Sequence, residues 1–333
     1  MPGPLNLLTD IEGVAVGHAT DLALGSGVTT VVFDKPAIAS GMVLGGAPGG
    51  RETSLLDPSM TVETVDAFVL SGGSAFGLDA AGGVQSGLRE IGRGFPVGDV
   101  RVPIVPQAIL MDLLNGGDKS WGLHSPYRDM GYEAFKAATG GAFPLGTVGA
   151  GTGATTATVK GGLGSASAVT STGHVVAALV ATNALGSATV GDGPHFWAAP
   201  YEVDNEFGRL GLPSPARTDF RINGVRITAT TIGVVVTDAV LTKAQAHRLS
   251  LAAHDGLARA IVPVHLPFDG DTIFSAATGE KEVKEARDLM EIFHQAALVT
   301  SRAVARGVFE ATALPVANAQ PSWRDRFGSS VSK

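Results

Sequence analysis

The chain has 333 residues, of which 44% are hydrophobic, so it can bury the core of one large domain or two ordinary ones. A formal net charge of −7 lacks the basic footprint that nucleic acid or an anionic membrane would require, and we expect neither as a partner. The absence of cysteine excludes disulfides, thiolate metal sites and cysteine nucleophiles.

Residues 1–18 lack the basic stretch followed by an apolar stretch that marks a secretory signal, and no apolar run is long enough to span a membrane. Because cysteine is absent as well, we expect a cytoplasmic location. The 45 glycines are interleaved with Val, Ala, Leu and Ile, which favours tight turns and close-packed backbone in an α/β protein over disorder.

The first part of the chain is rich in strand patterns, and its end is rich in helix patterns. Thr242 and Gln245 form a capping box that begins one helix. We read one segment as a surface excursion, a second as an excursion that ends in a loop, and the tail beyond Pro315 as loosely ordered. The predicted strands cover 9–18, 27–34, 36–44, 65–70 and 174–183; the excursions cover 115–132 and 187–226; the final helix covers 283–306.

A glycine turn over Ser71–Asp79 connects a buried strand to a helix that runs through residue 91. Such a turn aims backbone N–H groups at an anion or an oxyanion. No acidic residue follows about 20 positions later, so the dinucleotide fingerprint is incomplete. We interpret the turn as a packing element or as part of an oxyanion site, in which Ser74 is a candidate substrate-binding residue.

A second Gly/Thr-dense segment covers 145–164 and contains Lys160 as its only cation. The phosphate-loop pattern is not met, because no lysine there follows a glycine and precedes Ser or Thr. The functional interpretation of this segment is that its backbone amides line a pocket.

The strand predicted over 227–238 begins with hydroxyl side chains and continues into unbroken β-branched residues. The simple interpretation is that threonine forms strands well. The alternative is that cleavage after Ala229 makes Thr230 an N-terminal nucleophile. The new α-amine, with a reference pKa of about 7.7–8.0, would then serve as the base that takes the hydroxyl proton.

Two carboxylates, Asp269 and Asp271, flank a glycine downstream of this strand. They could form an ordinary Asp-Gly turn. Beside a protonated N-terminal amine they would instead hold Thr230 in place and tune its basicity. The eight histidines form no metal-spaced set, and we predict neither a metal nor a cofactor.

Several segments, in this order, resemble one family. The chain is similar to the self-processing aminopeptidases that include the L-aminopeptidase/D-esterase (DmpA type), the β-peptidyl aminopeptidases and, more distantly, nylon-oligomer hydrolase. The matching segments are TDIEGVAVGHATD (9–21), GGAPGGRETSLLDP (45–58), VLSGGSAFGLDAAGGV (69–84), VGAGTGAT (148–155), KGGLGSAS (160–167), TTIGVVVTDAVLTKAQ (230–245), AHDGLARAI (253–261) and FDGDTIF (268–274).

The resemblance implies an α/β (α+β) protein with a four-layer αββα sandwich, similar to N-terminal-nucleophile hydrolases. It implies one domain over 1–333 that cleaves itself into a large subunit, 1–229, and a small subunit, 230–333. The two would remain associated in a homo-oligomer such as a tetramer of cleaved heterodimers.

The resemblance also assigns the catalytic roles. It places the nucleophile on Thr230, the oxyanion-stabilising amide on Asn183, and the orienting acids on Asp269 and Asp271. The residue before the cut would be Ala229.

The chain departs from the family at three positions. Relatives often have Asn or Gly where Ala229 stands, and some have a tyrosine where Met111 stands. Thr158 occupies the nearest ungapped position to a lysine that some members use, and Lys160 follows closely. Met111 and Lys160 therefore join Ser74 as candidate substrate-binding residues.

The predicted function is an autoproteolytically activated amide hydrolase. Its substrates would be short peptides, amino-acid amides or esters, from which it removes the N-terminal residue. One alternative is an acyltransferase of the ornithine acetyltransferase type. The other is a non-enzymatic module that holds an anion on the glycine-rich loops at 71–77 and 148–155.

Overall fold

The computed structural model describes residues 1–215, 221–223 and 229–330. Within them, the strands are β1 (Val14–Asp21), β2 (Ser26–Val43), β3 (Gly50–Arg51), β4 (Thr64–Ser71), β5 (Phe95–Val97), β6 (Val100–Val102), β7 (Gln107–Ile109), β8 (Gly162–Val169), β9 (Val175–Thr182), β10 (Ile232–Ala239) and β11 (Thr272–Lys281). The helices are α1 (Ala80–Glu90), α2 (Tyr127–Lys136), α3 (Lys243–Ala260), α4 (Ala286–Glu310) and α5 (Trp323–Phe327).

Nine strands form one continuous sheet in the order β3-β7-β4-β2-β11-β10-β9-β8, with β1 paired to β2. The β10–β11 and β4–β7 pairs are parallel and the other pairs are antiparallel. Strands β5 and β6 form a separate hairpin. Of the helices in the described part of the chain, none combines the length and apolarity that crossing a membrane requires.

Strand β2 joins the two halves of the sheet. The sequence predicts two strands here, over 27–34 and 36–44, whereas the structure has one strand of 18 residues. The register of β2 against β4 shifts between Val32 and Ala37, around an exposed segment that contains Pro36. Proline has no N–H to donate to a ladder, so the strand bends at this point instead of ending. It pairs with β1 before the bend and with β11 after it.

Three hydrophobic clusters define four layers. One lies between α1/α2 and the β1-β2-β4 half, a second lies between the two halves, and a third lies between the β8–β11 half and α3/α4. The alternation along β10 agrees with this arrangement, because Ile232, Val234 and Val236 belong to the central cluster and Val235 belongs to the outer one. The predicted αββα sandwich is confirmed.

The glycines of the 145–164 segment contribute to packing. A Cβ on Gly164 would lie 1.9 Å from the Ala303 carbonyl oxygen and 2.4 Å from the Gly307 nitrogen. The backbone of β8 therefore lies directly against α4, which only glycine permits at this distance.

Two predictions about irregular segments are wrong. The 115–132 segment is not a surface excursion throughout, since α2 begins at Tyr127, whose ring is fully buried. The tail is packed as well: Trp323 is 1% exposed, stacks on Phe196 with ring centroids 5.6 Å apart, and donates Nε1–H to the Pro194 carbonyl. Helix α3 begins with the predicted capping box of Thr242 and Gln245.

The sheet brings the predicted site segments together. Strand β9 runs antiparallel to β10, so the end of β9 lies beside the start of β10. Strand β11 runs parallel to β10, so their starts are also neighbours. Ile232 pairs with Ala181 on one side and Thr272 on the other. Residues just after β9 and just before β10 and β11 therefore meet at one edge.

Candidate active site

Thr230 lies at this edge, immediately before β10. Its backbone N–H donates to the Asn183 carbonyl oxygen at 2.7 Å. The preceding residue, Ala229, forms a parallel bridge with Asp269, and the N–H of Thr231 donates to Asp271 Oδ1 at 2.8 Å. The four residues to which the resemblance assigns catalytic roles thus lie at one place. Ile227 and Thr228 of the predicted strand lie outside the described residues.

The peptide bond between Ala229 and Thr230 is surrounded by polar contacts. Thr230 is 4% exposed, and its hydroxyl donates to the Ala229 carbonyl oxygen at 2.6 Å. The N–H of Gly270 donates to the same oxygen at 3.0 Å. A Cβ on Gly270 would lie 2.6 Å from the Thr230 hydroxyl oxygen, so glycine here makes room for this hydroxyl.

The Asn183 side chain is fixed in one orientation. Its Oδ1 accepts a hydrogen bond from the Thr155 N–H at 2.9 Å, and its Nδ2 donates to the Met111 carbonyl at 3.2 Å. A carboxamide nitrogen has two N–H donors. One is engaged with Met111, and the other is available for a developing oxyanion.

The acid pair is buried and hydrogen-bonded to backbone. Asp269 accepts from the N–H groups of Leu185 at 3.3 Å and Leu266 at 3.1 Å. Burial, and secondarily the negative charge of Asp271, raise the pKa of the Asp269 carboxyl. Among the described contacts, neither carboxylate bonds to Thr230 itself, and Asp271 reaches it through the backbone of Thr231.

The structure adds His265, which sequence reasoning missed. Its Nδ1 lies 2.8 Å from Asp271 Oδ2, and its backbone N–H donates to the same oxygen at 3.0 Å. His265 has a φ of +56°, a region that non-glycine residues seldom occupy, so the loop conformation directs this contact. The ring of His254 lies 4.9 Å away, centroid to centroid, and burial lowers the pKa of His254 to about 4.

A cavity of about 310 Å³ opens onto Thr230. Ser74 and Met111, two of the three candidate substrate-binding residues, line it together with apolar and glycine residues such as Ile109, Leu78 and Gly49. Larger clefts of about 670 and 460 Å³ lie elsewhere and do not include Thr230. Among the described side chains, no group of three or more is arranged to hold a metal ion.

Lys160 does not line this cavity. Its ammonium group is buried and donates to the carbonyl oxygens of Gly151 and Gly161, both at 2.9 Å. Burial lowers the pKa of Lys160 to about 7, and the charge of Asp112 partly opposes this effect. Lys160 therefore ties two parts of the 145–164 segment together.

The chain is similar to known proteins along most of its length. The chain is 40% identical to an uncharacterized aminopeptidase of Mycobacterium bovis, over 97% of this chain and 98% of the relative. It is 26% identical to the 6-aminohexanoate-oligomer endohydrolase of a Kocuria species, over 84% of this chain and 76% of the relative.

Solved structures show the same fold. A Burkholderia β-aminopeptidase superposes with a TM-score of 0.74 at 21% identity, covering 98% of this chain and 92% of that one. The L-aminopeptidase D-Ala-esterase/amidase of Ochrobactrum anthropi, described as a new variant of the Ntn hydrolase fold, gives 0.73 at 18% identity, covering 100% and 96%.

The model of one protein family matches residues 6–321, nearly the whole chain. This match confirms the resemblance to the DmpA-type aminopeptidases and decides against a non-enzymatic binding module. The chain belongs to peptidase family S58 and is a peptide-bond hydrolase.

Proposed function

We propose that the chain cleaves itself between Ala229 and Thr230 and then acts as an N-terminal-threonine aminopeptidase. The observation that carries the proposal is the geometry of this one peptide bond. Its carbonyl oxygen accepts from both the Thr230 hydroxyl and the Gly270 N–H, next to a cavity that can hold a small substrate.

In the cleavage step, the Thr230 oxygen bonds to the Ala229 carbonyl carbon and the peptide C–N bond breaks. The released nitrogen takes up the hydroxyl proton. Water then hydrolyses the ester, which leaves a carboxylate on Ala229 and restores the hydroxyl. The Gly270 N–H supports this step because it points at the oxygen on which negative charge develops.

In the hydrolytic step, the new α-amine of Thr230 takes the hydroxyl proton as the oxygen attacks the substrate carbonyl. The Asn183 carbonyl, already 2.7 Å from this nitrogen, holds the amine, and the free N–H of Asn183 Nδ2 stabilises the oxyanion. The amine then gives its proton to the leaving nitrogen, and water releases the acyl group from Thr230. Asp271 fixes the position of the nucleophile through Thr231.

The proposed substrates are short peptides, amino-acid amides or esters with a free amine. A cavity of about 310 Å³ has room for one residue, and its lining includes Ser74 and Met111 beside apolar groups. The expected homo-oligomer and cytoplasmic location stay predictions.

Intact mass under denaturing conditions tests the proposal. The purified protein should give two polypeptides, 1–229 and 230–333, and Thr230→Ala should remain one chain without activity. An active protein that keeps the 229–230 bond would contradict the proposal. Acyl transfer from an acetylated amine to glutamate, without hydrolysis, would favour the acyltransferase alternative.

A further inference from the structure

Another cleft, of about 340 Å³, is lined by four arginines: Arg51, Arg89, Arg101 and Arg128. Asp79 is the single acid in its lining. The cleft is therefore strongly positive, although the chain as a whole carries a net charge of −7.

The floor of the cleft is one face of α1. Gly82, Gln85, Ser86 and Arg89 follow one another at the spacing that places residues on one side of a helix. A Cβ on Gly82 would lie 3.6 Å from a terminal nitrogen of Arg51 and 3.9 Å from the guanidinium carbon of Arg128. Small residues thus leave a hollow over which guanidinium groups from different elements converge.

These arginines lack anionic partners. Among the described residues, none of the four lies within ion-pair distance of a carboxylate. Arg51 donates instead to Gln85 Oε1 at 2.8 Å and to the Leu78 carbonyl at 3.4 Å. Like charges around one hollow repel each other, and an anion in the hollow would relieve this repulsion.

The arginine cleft adjoins the Thr230 cavity. Gly49 and Leu78 line the cavity, whereas Arg51 and Asp79, one or two residues further along the same segments, line the cleft. The Arg51–Leu78 hydrogen bond ties these two walls together. Because neighbouring residues of the same two segments line the two depressions, an extended substrate can pass from one depression to the other.

We propose that the arginine cleft binds the carboxylates of an acidic peptide whose N-terminal residue occupies the Thr230 cavity. The preferred substrates would be short peptides with Asp or Glu two or three residues beyond the scissile bond. Arginine suits this role because its planar fork pairs with carboxylates in a bidentate manner. This inference rests on the proposed aminopeptidase function.

Three substrates distinguish a failure of the arginine-cleft proposal from a failure of the aminopeptidase proposal. They are Ala-Ala-Glu-Glu, Ala-Ala-Gln-Gln and alanine p-nitroanilide, which has no peptide tail. The test variant is Arg101→Gln/Arg128→Gln, because both side chains are exposed and neither is needed for packing. The matched control is Arg248→Gln, an exposed arginine in a different cleft.

The wild type should prefer the acidic over the neutral peptide in kcat/KM, mostly through KM, and added salt should weaken this preference. The double variant should reduce the preference about tenfold, since two exposed charge contacts are lost. Hydrolysis of the p-nitroanilide should be unchanged, as should every rate of Arg248→Gln.

An unchanged ratio of acidic to neutral peptide in the double variant would overturn the inference. So would inhibition by inorganic phosphate at the same concentration as by Glu-Glu, because the cleft would then select any anion. A wild type that hydrolyses none of the three substrates would refute the aminopeptidase proposal itself.

Discussion

At the scale of single residues, the site depends on how closely Gly270 approaches Thr230. Gly270→Ala would place a methyl group 2.6 Å from the Thr230 hydroxyl oxygen and 2.7 Å from the Ala47 carbonyl. We expect this variant to fold but to lose most self-cleavage, because the hydroxyl must move away from the Ala229 carbonyl. The measurement is the cleaved fraction by intact mass, alongside a thermal melt.

The control for Gly270→Ala is Gly328→Ala, since a Cβ at Gly328 meets no atom within 4 Å. This control should cleave like the wild type. Complete cleavage of Gly270→Ala at the normal rate would show that the close contact between Gly270 and Thr230 has no role in self-cleavage.

Asn183 carries the proposed oxyanion contact. Asn183→Ala should lower kcat by about 10²–10³-fold, the usual loss for one such donor. KM should change little, since the contact strengthens only in the transition state. Steady-state kinetics on the cleaved protein, with circular dichroism to verify folding, would decide. A kcat within threefold of the wild type would remove Asn183 from the mechanism.

His265 supports the site through Asp271. His265→Ala should leave a buried carboxylate oxygen short of a partner and cost about 1–3 kcal/mol of unfolding free energy. His265→Asn keeps a donor near Nδ1 and tolerates the positive φ, so it should retain most stability and cleavage. Urea unfolding of both variants is the measurement, and equal losses would argue against the hydrogen bond as the cause.

Some of the site could be predicted from sequence and some could not, for physical reasons. The threonine before the buried β10 strand was visible as a pattern, and the resemblance supplied Asn183 and the acid pair. Their convergence requires β9 and β11 on either side of β10, which strand patterns alone do not specify. The contact between His265 and Asp271 depends on a positive φ at His265, which no sequence pattern specifies. Sequence also does not show that the Lys160 ammonium group donates to buried carbonyl oxygens instead of lining the cavity.

At the scale of elements, the predicted boundaries are wrong where packing against distant parts of the chain decides whether a segment is ordered. The sequence predicts two strands, 27–34 and 36–44, yet β2 is continuous because both of its flanks find partners, β1 on one side and β11 on the other. Trp323 sits in a polar tail and looked loosely ordered, yet three aromatic rings surround it. No sequence pattern predicts the arginine cleft, because its four arginines come from four separate segments of the chain.

The tail yields a prediction at this scale. Trp323→Ala would leave a cavity between Phe196 and Phe309 and should lower the free energy of unfolding by about 3–5 kcal/mol. Met290→Ala, at a side chain that is 70% exposed, should change it by less than about 0.5 kcal/mol. Denaturant titration measures both, and a loss below about 1 kcal/mol for Trp323→Ala would mean that the tail contributes little to the fold.

At the scale of the whole molecule, the half-buried His18 makes stability depend on pH. Burial lowers the pKa of His18 from 6.5 to about 4, and its Nε2 is buried with no hydrogen-bond partner among the described residues. The unfolded chain takes up this proton near pH 6.5 and the folded chain only near pH 4. The folded state therefore loses stability as the pH falls through this window.

The loss attributable to His18 is up to about 3 kcal/mol between pH 7.5 and pH 4. Asp269 acts in the opposite direction, because its raised pKa favours the folded state on acidification, so the net curve alone is not diagnostic. The test is the difference in unfolding free energy between the wild type and His18→Gln. It should shrink on acidification, because glutamine does not titrate. If the wild type keeps its full advantage over His18→Gln at pH 4, the ring is protonated in the folded state without penalty and the assignment is wrong.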